Sequence, residues 1–129
     1  MNYNLGDRHG LFVKYYRNGK KQESVNYLTN QKHGLAQWYF DNEQLSIQYM
    51  YNHGLIVDTA YAFYKTGEIK SKSIYSSNEL NGEKISFFPS GIVKEIGGFL
   101  NGKKHDNWCT YDSLGNELNC IKYKRGKKL

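Results

Sequence analysis

The aromatic positions along the chain repeat every 24 residues. Two aromatic slots recur in each unit, Tyr15, Tyr39, Phe63, Phe87 and Tyr111 in one and Tyr27, Tyr51, Tyr75, Phe99 and Tyr123 in the other. Turn-type residues recur in step with them in three slots: Gly19, Glu43, Gly67, Gly91 and Gly115; Gly6, Asn30, Gly54, Asn78, Gly102 and Gly126; and Gly10, Gly34, Asp58, Gly82 and Asp106. Because Gly and Asn tolerate positive φ, each unit is predicted to have two turns and two strands of about six to eight residues.

This pattern predicts one β-hairpin per unit. Since a lone hairpin cannot bury a face, it must pack against its neighbours. We therefore expect an all-β fold, a single-layer antiparallel meander or flattened solenoid of five tandem 24-residue β-hairpin repeats. One domain spans 1–129, with a half-unit at 1–9 and repeats at about 10–33, 34–57, 58–81, 82–105 and 106–129. No window keeps a 3.6-residue apolar period for three turns, so no helix is expected.

Two details of the hairpins follow from the residues themselves. The turn Arg17-Asn18-Gly19-Lys20 is predicted to be of type I′, because Asn-Gly favours that geometry. The adjacent residues Tyr15 and Tyr16 should point to opposite faces of the sheet, so that both faces carry rings. Tyr3 falls in the slot of Tyr27, which predicts an extra strand before the first full repeat.

Charge narrows the classes of partner. The net charge is +6, and Lys and Arg concentrate in residues 1–30 and 101–129. Such ends attract nucleic acid, anionic lipid or an acidic protein surface, or serve only as a solubilising surface. The C-terminal run from Lys122 to Lys128 mixes cations with a ring, as nucleic-acid sites do, but Tyr123 and Gly126 are ordinary repeat positions, so nucleic acid is not the favoured partner.

The cysteines bear on the compartment. No apolar stretch is long enough for a membrane span and the N-terminal residues do not read as a signal peptide, so we expect a cytoplasmic location. A two-residue turn at Leu114-Gly115 would place Cys109 opposite Cys120 as a hydrogen-bonded pair, with Cα atoms about 5.5 Å apart. That distance allows a disulfide, but in a reducing compartment we expect two reduced core thiols.

Candidate chemistry is sparse. His9, His33 and His105 recur in one slot, but the first two would lie about 10 Å apart, too far to share an ion, and they fit loop ends. His53 occupies the other turn slot and has the same interpretation. The chain has no nucleophile elbow, phosphate loop, HExxH or CxxC motif. We therefore expect no metal, no cofactor and no enzymatic activity.

Residues that differ between copies are the candidates for partner contacts, because recurring residues build the scaffold. They are Trp38, Tyr49, Tyr61, Asp58, Glu43, Trp108, Lys122, Lys124 and Arg125. Phe12 also stands outside the ladders. An aromatic patch near Trp38, Tyr49 and Tyr61 is the first choice, because Trp and Tyr often dominate interfaces. Local packing beneath a loop is the alternative.

The segment from His9-Gly10 through Tyr15-Tyr16 to Asn18-Gly19-Lys20 resembles the bacterial variant of the MORN repeat, as in YwqK-like antitoxin proteins. The stretch Asn101-Gly102-Lys103-Lys104-His105 matches the loop of that motif. The third copy departs most, with Val57-Asp58 in place of His-Gly, which predicts a distorted central hairpin.

The resemblance implies an immunity or antitoxin protein that binds a cognate protein toxin, one with an acidic surface given the charge of this chain. MORN-type repeats are also linked to anionic lipid and to organising other proteins, so a membrane-associated scaffold is the alternative. The open first and last strands would also allow an edge-to-edge homodimer.

Overall fold

The computed structural model describes residues 3–4 and 7–129, with side chains from Arg8 onward. Over these residues the strands are β1 (Tyr3–Asn4), β2 (Asp7–Arg8), β3 (Gly10–Tyr15), β4 (Lys21–Leu28), β5 (Gln31–Tyr39), β6 (Leu45–Asn52), β7 (Leu55–Phe63), β8 (Ile69–Ser76), β9 (Glu79–Phe87), β10 (Val93–Leu100), β11 (Lys103–Tyr111), β12 (Glu117–Lys124) and β13 (Lys127–Lys128). β3 to β13 form one eleven-stranded sheet in chain order, and every pairing is antiparallel. The all-β single-layer meander is confirmed.

The described part of the chain contains no helix that is long and apolar enough to cross a membrane.

The half-unit at the start forms a strand, as predicted, but this strand lies outside the main sheet. Among the residues that the structure describes, β1 pairs only with β2, with Tyr3 opposite Arg8 and Asn4 opposite Asp7. The amide of Asn30 donates to the carbonyl of Arg8 at 3.1 Å and so ties this pair to the first repeat. The predicted turn residue Gly6 lies outside the described residues.

The turns inside the hairpins are not of type I′, so that prediction was wrong. At the first one, the Tyr16 amide donates to the Lys20 carbonyl at 2.8 Å and the Gly19 amide donates to the Tyr16 carbonyl at 3.0 Å. This is a three-residue loop, in which only Gly19 has positive φ. Type I′ needs positive φ at both central residues. Asn18 instead accepts from the Lys20 amide through its side chain, at 2.9 Å.

The type I′ geometry occurs at the turns between repeats. Each of these is a two-residue connection in which both residues have positive φ: Thr29-Asn30, His53-Gly54, Ser77-Asn78, Asn101-Gly102 and Arg125-Gly126. This backbone twist matches the twist of antiparallel strands. Consecutive hairpins therefore continue one sheet without a break.

The third recurring slot also has positive φ in all five copies: Gly10, Gly34, Asp58, Gly82 and Asp106. The inter-repeat turns also hydrogen-bond to an earlier strand. The Gly54 amide, in the turn between β6 and β7, donates to the carbonyl of Lys32 in β5 at 2.7 Å. The same bond recurs from Asn78 to Ile56, at 2.9 Å. The central hairpin is therefore not distorted at this slot, because Asp58 has the positive φ of the other four copies.

The core lies on one face of the sheet, which we call the packed face. Its central row contains the buried residues Phe12, Val25, Ala36, Ala60 and Trp108. Phe12, Val25 and Ala36 are direct cross-strand partners. The other face, here the open face, exposes Leu11, Leu35 and Ile74. A single layer thus buries only one row well and leaves the flanking side chains partly accessible.

Candidate functional site

Two of the predicted contact residues, Trp38 and Tyr49, come together on the packed face. Their ring centroids are 5.6 Å apart, in an edge-on arrangement. Tyr49 also meets Tyr51 and Tyr75, each at 6.2 Å. Burial raises the pKa of both Tyr51 and Tyr75, and the neighbouring Tyr49 adds to the shift. The cluster is thus part of the packing and remains half-exposed at its surface.

Tyr61 lies on the opposite face, so the predicted three-ring patch does not assemble. It pairs across the strands with Gln48 and Lys72, and its ring stacks on Phe63 at 6.3 Å. Its neighbour in the chain, Ala60, is buried on the packed face. A partner that covers Trp38 and Tyr49 therefore does not reach Tyr61 on the same surface.

Trp108 is a core residue, which corrects its assignment as a partner contact. Only 6% of its surface is exposed. Its indole Nε1 donates to the carbonyl of Gly98 at 2.9 Å, and Phe99 packs edge-on against the ring at 5.0 Å. The Lys104 ammonium lies 4.6 Å from the ring centroid. With the indole packed on the sheet and a cation near the ring, little of its surface is left for a partner.

The remaining predicted residues are exposed but scattered. Glu43 is in a hairpin turn at φ 72°, and Asp58 is at a strand bend at φ 58°. Lys122 and Lys124 lie on β12 and Arg125 lies in the turn after it, near the C-terminal edge of the sheet. The sheet order therefore separates this basic group from Trp38 and Tyr49 on β5 and β6.

The structure brings together two histidines that the repeat pattern assigned to separate slots. The His33 and His53 rings are 4.7 Å apart, and the His53 amide donates to His33 Nδ1 at 3.1 Å. They meet because the next turn hydrogen-bonds back at Lys32, one residue from His33. The sequence did not predict the contact between the two rings, because the backbone hydrogen bond that brings them together has no sequence motif.

Cys109 and Cys120 form a disulfide, contrary to the expected reduced thiols. They are direct cross-strand partners, as predicted, but their Cα atoms are 4.1 Å apart. That spacing belongs to a non-hydrogen-bonded pair. The register is right because two irregularities compensate: the loop is one residue longer than predicted, and a bulge at Leu118 restores the pairing.

A groove of about 500 Å³ crosses the packed face in the third and fourth repeats and extends to β11. Along its floor run consecutive cross-strand partners, Ser71, Ser86, Glu95 and Thr110. One rim carries the rings of Tyr64 and Phe88. In the second repeat the same row holds the larger side chains Trp38 and Ile47.

Three lysines line this groove: Lys70, Lys84 and Lys94. The ammonium of Lys70 lies 5.8 Å from the Tyr64 ring centroid, and that of Lys94 lies 5.8 Å from the Phe88 ring centroid. None of the three forms a salt bridge with a carboxylate in the described residues. We call this site the lysine groove. The sequence analysis did not predict this groove, because its candidates were large variable side chains, whereas the space in the groove comes from small ones.

A family model described as the MORN repeat variant matches residues 8–28 and 32–53. These matches cover the first two hairpins, and the remaining hairpins share their turns and bends. No curated protein matches the chain. MORN repeats suggest a scaffold that binds proteins or membranes. The first two hairpins of the single-layer sheet are therefore similar to the MORN repeat variant.

Proposed function

We propose that the chain is a non-catalytic protein-binding module that neutralises a cognate protein toxin by direct binding. The observation that carries the proposal is the lysine groove, in which two rings and three lysines, none of them salt-bridged to a described carboxylate, lie on one accessible surface. Aromatic side chains are frequent hot spots of protein interfaces, and complementary charge gives specificity and faster association. A partner with an acidic surface is the best match.

Several groups with catalytic potential support binding over chemistry, because they are either engaged in the scaffold or lack a neighbouring base. Cys109 and Cys120 are joined in the disulfide. The Nδ1 atom of His33 accepts a backbone amide and is therefore not free to act as a base there. The hydroxyls in the groove, such as Ser86, lie among lysines rather than beside a histidine.

The toxin-neutralising role rests on the resemblance to antitoxin proteins together with the charge. A protein that mimics nucleic acid to block a nuclease would be acidic, whereas this chain carries +6. A toxin with an acidic surface would instead be attracted electrostatically, and its association would accelerate at low ionic strength. The toxin is expected to be the product of a neighbouring gene.

Co-expression tests this proposal directly. The chain should restore growth to cells that produce the neighbouring gene product, and the two proteins should elute together in gel filtration. A chain with the Lys70→Ala and Lys94→Ala substitutions should protect less well, whereas Lys65→Ala with Lys72→Ala, which removes the same charge elsewhere, should protect fully. Failure of both rescue and co-elution would remove the proposal.

A membrane-associated scaffold is the second candidate. The observation that favours it is the exposed basic cluster at the C-terminal edge, with Lys122, Lys124, Arg125, Lys127 and Lys128. Each such residue contributes about 1 kcal/mol at an anionic bilayer. The chain would then pellet with phosphatidylserine vesicles and be released by salt. Absence of pelleting at low ionic strength would exclude this candidate.

A further inference from the structure

We propose that the lysine groove binds an extended acidic segment of the partner protein. This inference rests on the proposed protein-binding function and assigns it a site and a recognition chemistry. The groove offers cations, hydroxyl donors and ring faces, which suit a chain that carries regularly spaced carboxylates and backbone carbonyls.

Two of the three cations lie over aromatic rings. Lys70 follows Tyr64 by six residues and Lys94 follows Phe88 by six, so both ammonium groups are held over rings in the same way in two consecutive repeats. Strands two positions apart in a sheet are separated by about 10 Å. In an extended polyproline II chain, which has three residues per turn, carboxylates three residues apart lie on the same side and about 9 Å apart. The groove therefore matches acidic residues spaced by three.

Lys84 lies between these two cations. It pairs across the strands with Ser73 and Gly97. The groove also contains one carboxylate, Glu95. With three lysines against this single acid, the lining carries a net positive charge that an acidic segment would neutralise.

The hydroxyls of the floor have unused donors. Those of Ser71, Ser86 and Thr110 make no hydrogen bond to any other residue that the structure describes. A hydroxyl can donate to a carboxylate or to a peptide carbonyl. These groups lie on adjacent or next-adjacent strands, so an extended chain laid across them meets a donor at regular intervals.

The groove is long enough for a peptide. A second cavity, lined by Tyr49, Ala60 and Ala62, shares Ser71 and Lys84 with it. Together they run from β6 to β11, a span of about 24 Å, or roughly seven extended residues. A bilayer surface would rest on the ring-bearing rim, whereas a single extended chain reaches the floor hydroxyls, so we assign the groove to a peptide.

Two kinds of variant test the site. Lys70→Ala with Lys94→Ala removes the ring-held cations, and Lys65→Ala with Lys72→Ala is the charge-matched control. Lys72 is on the same strand as Lys70 but on the open face, and Lys65 is an exposed turn residue paired with Asp41. Ser86→Trp fills the groove with the residue that the second repeat carries at the equivalent position, Trp38, and so retains a side chain that this scaffold already packs.

The probe is a fluorescent peptide of about ten residues with glutamates every third position, measured by anisotropy at low ionic strength, beside the same peptide with glutamine. We expect the acidic peptide to bind and the glutamine peptide not to bind. The groove double variant should lose about tenfold in affinity and Ser86→Trp should abolish binding, while the control double variant should stay within about twofold. Circular dichroism verifies that each variant is folded.

Several outcomes would overturn the inference. They are equal binding of the acidic and glutamine peptides, equal loss in the groove and control variants, or full binding by folded Ser86→Trp. Binding to phosphatidylserine vesicles that Ser86→Trp removes, with no peptide binding, would assign the groove to lipid instead.

The two proposals can fail separately. If the neighbouring gene product binds the wild-type chain and folded Ser86→Trp equally, the site is wrong and the function stands. If the acidic peptide binds the groove while the neighbouring gene product does not bind, the site stands and the toxin is wrong.

Discussion

The indole of Trp108, on β11, lies on the backbone of Gly97 in the neighbouring strand β10. A Cβ atom at residue 97 would fall 2.1 Å from the ring. The same two slots hold Val25 and Ala36 in an earlier repeat, where both side chains are buried. The scaffold thus fills one position of its core row in two ways, with a large residue on either strand but not on both.

Substitutions of Gly97 and Trp108 should be tolerated better together than singly. Trp108→Ala removes the indole and should cost about 3–5 kcal/mol of unfolding free energy. Gly97→Val forces the indole out and should cost at least about 1–3 kcal/mol. The double variant recreates the Val25 and Ala36 pair, so its cost should be smaller than the sum by more than about 1 kcal/mol. Urea unfolding of the four proteins measures this coupling, and strict additivity would show that the two residues do not share one space.

The hairpin turns make Glu43 a strained residue. It has φ 72° in a slot where the other four copies carry Gly. Because a left-handed conformation costs an ordinary residue about 1 kcal/mol or more, Glu43→Gly should stabilise the protein by about 1 kcal/mol. Glu43→Ala is the matched control, since it removes the carboxylate but keeps the strain. If both variants unfold alike, the gain does not come from the backbone.

How far the sequence predicted this fold can be judged from individual residues. Positive φ at Gly10 and Asp58 was predictable, because one slot of the repeat tolerates only such residues. The type I′ assignment to Asn18-Gly19 was wrong, because the dipeptide also fits a three-residue loop in which only the Gly has positive φ. Local composition does not decide between the two.

The candidate site was less predictable. Trp108 was expected at the surface because it differs between copies, but its burial depends on Gly97 in a neighbouring strand. Pairs of positions, rather than single slots, determine which variable residues stay exposed. The lysine groove also depends on pairs of positions, because Lys70 and Lys94 become neighbours only through the register of β8, β9 and β10.

The disulfide should stabilise the last hairpin. Its cysteines are 11 residues apart in sequence. Closing a loop of that length is worth about 3 kcal/mol through the unfolded state. Reductant should therefore lower the unfolding free energy of the wild-type chain, and should not change that of the variant with Cys109→Ser and Cys120→Ser. Free thiols in the folded, untreated protein, or equal stability with and without reductant, would contradict this.

The last turn should weaken in acid. The Asp112 carboxylate accepts hydrogen bonds from the Asn116 and Leu114 amides, at 2.9 Å each. The Asn116 amide is the main cause of a pKa below the usual 3.8. Because the folded pKa is lowered, the stabilisation is fully present above the unfolded value and is lost as pH falls through the folded one.

Amide exchange of Gly115 measures this change. Protection should fall as pH is lowered below about 4, after correction for the intrinsic exchange rate, while protection of Gly19 in the first turn should not follow. Asp112→Asn should remove the pH dependence. A Gly115 amide whose corrected protection is the same at neutral and acidic pH would show that the carboxylate does not hold the turn.

Binding between the chain and the neighbouring gene product is the most direct test of the proposed function. Isothermal titration at low ionic strength should give saturable heat, with an affinity that weakens as salt is added and a much weaker interaction for folded Ser86→Trp. The absence of any saturable heat, from a chain that is folded by circular dichroism, would contradict the protein-binding role.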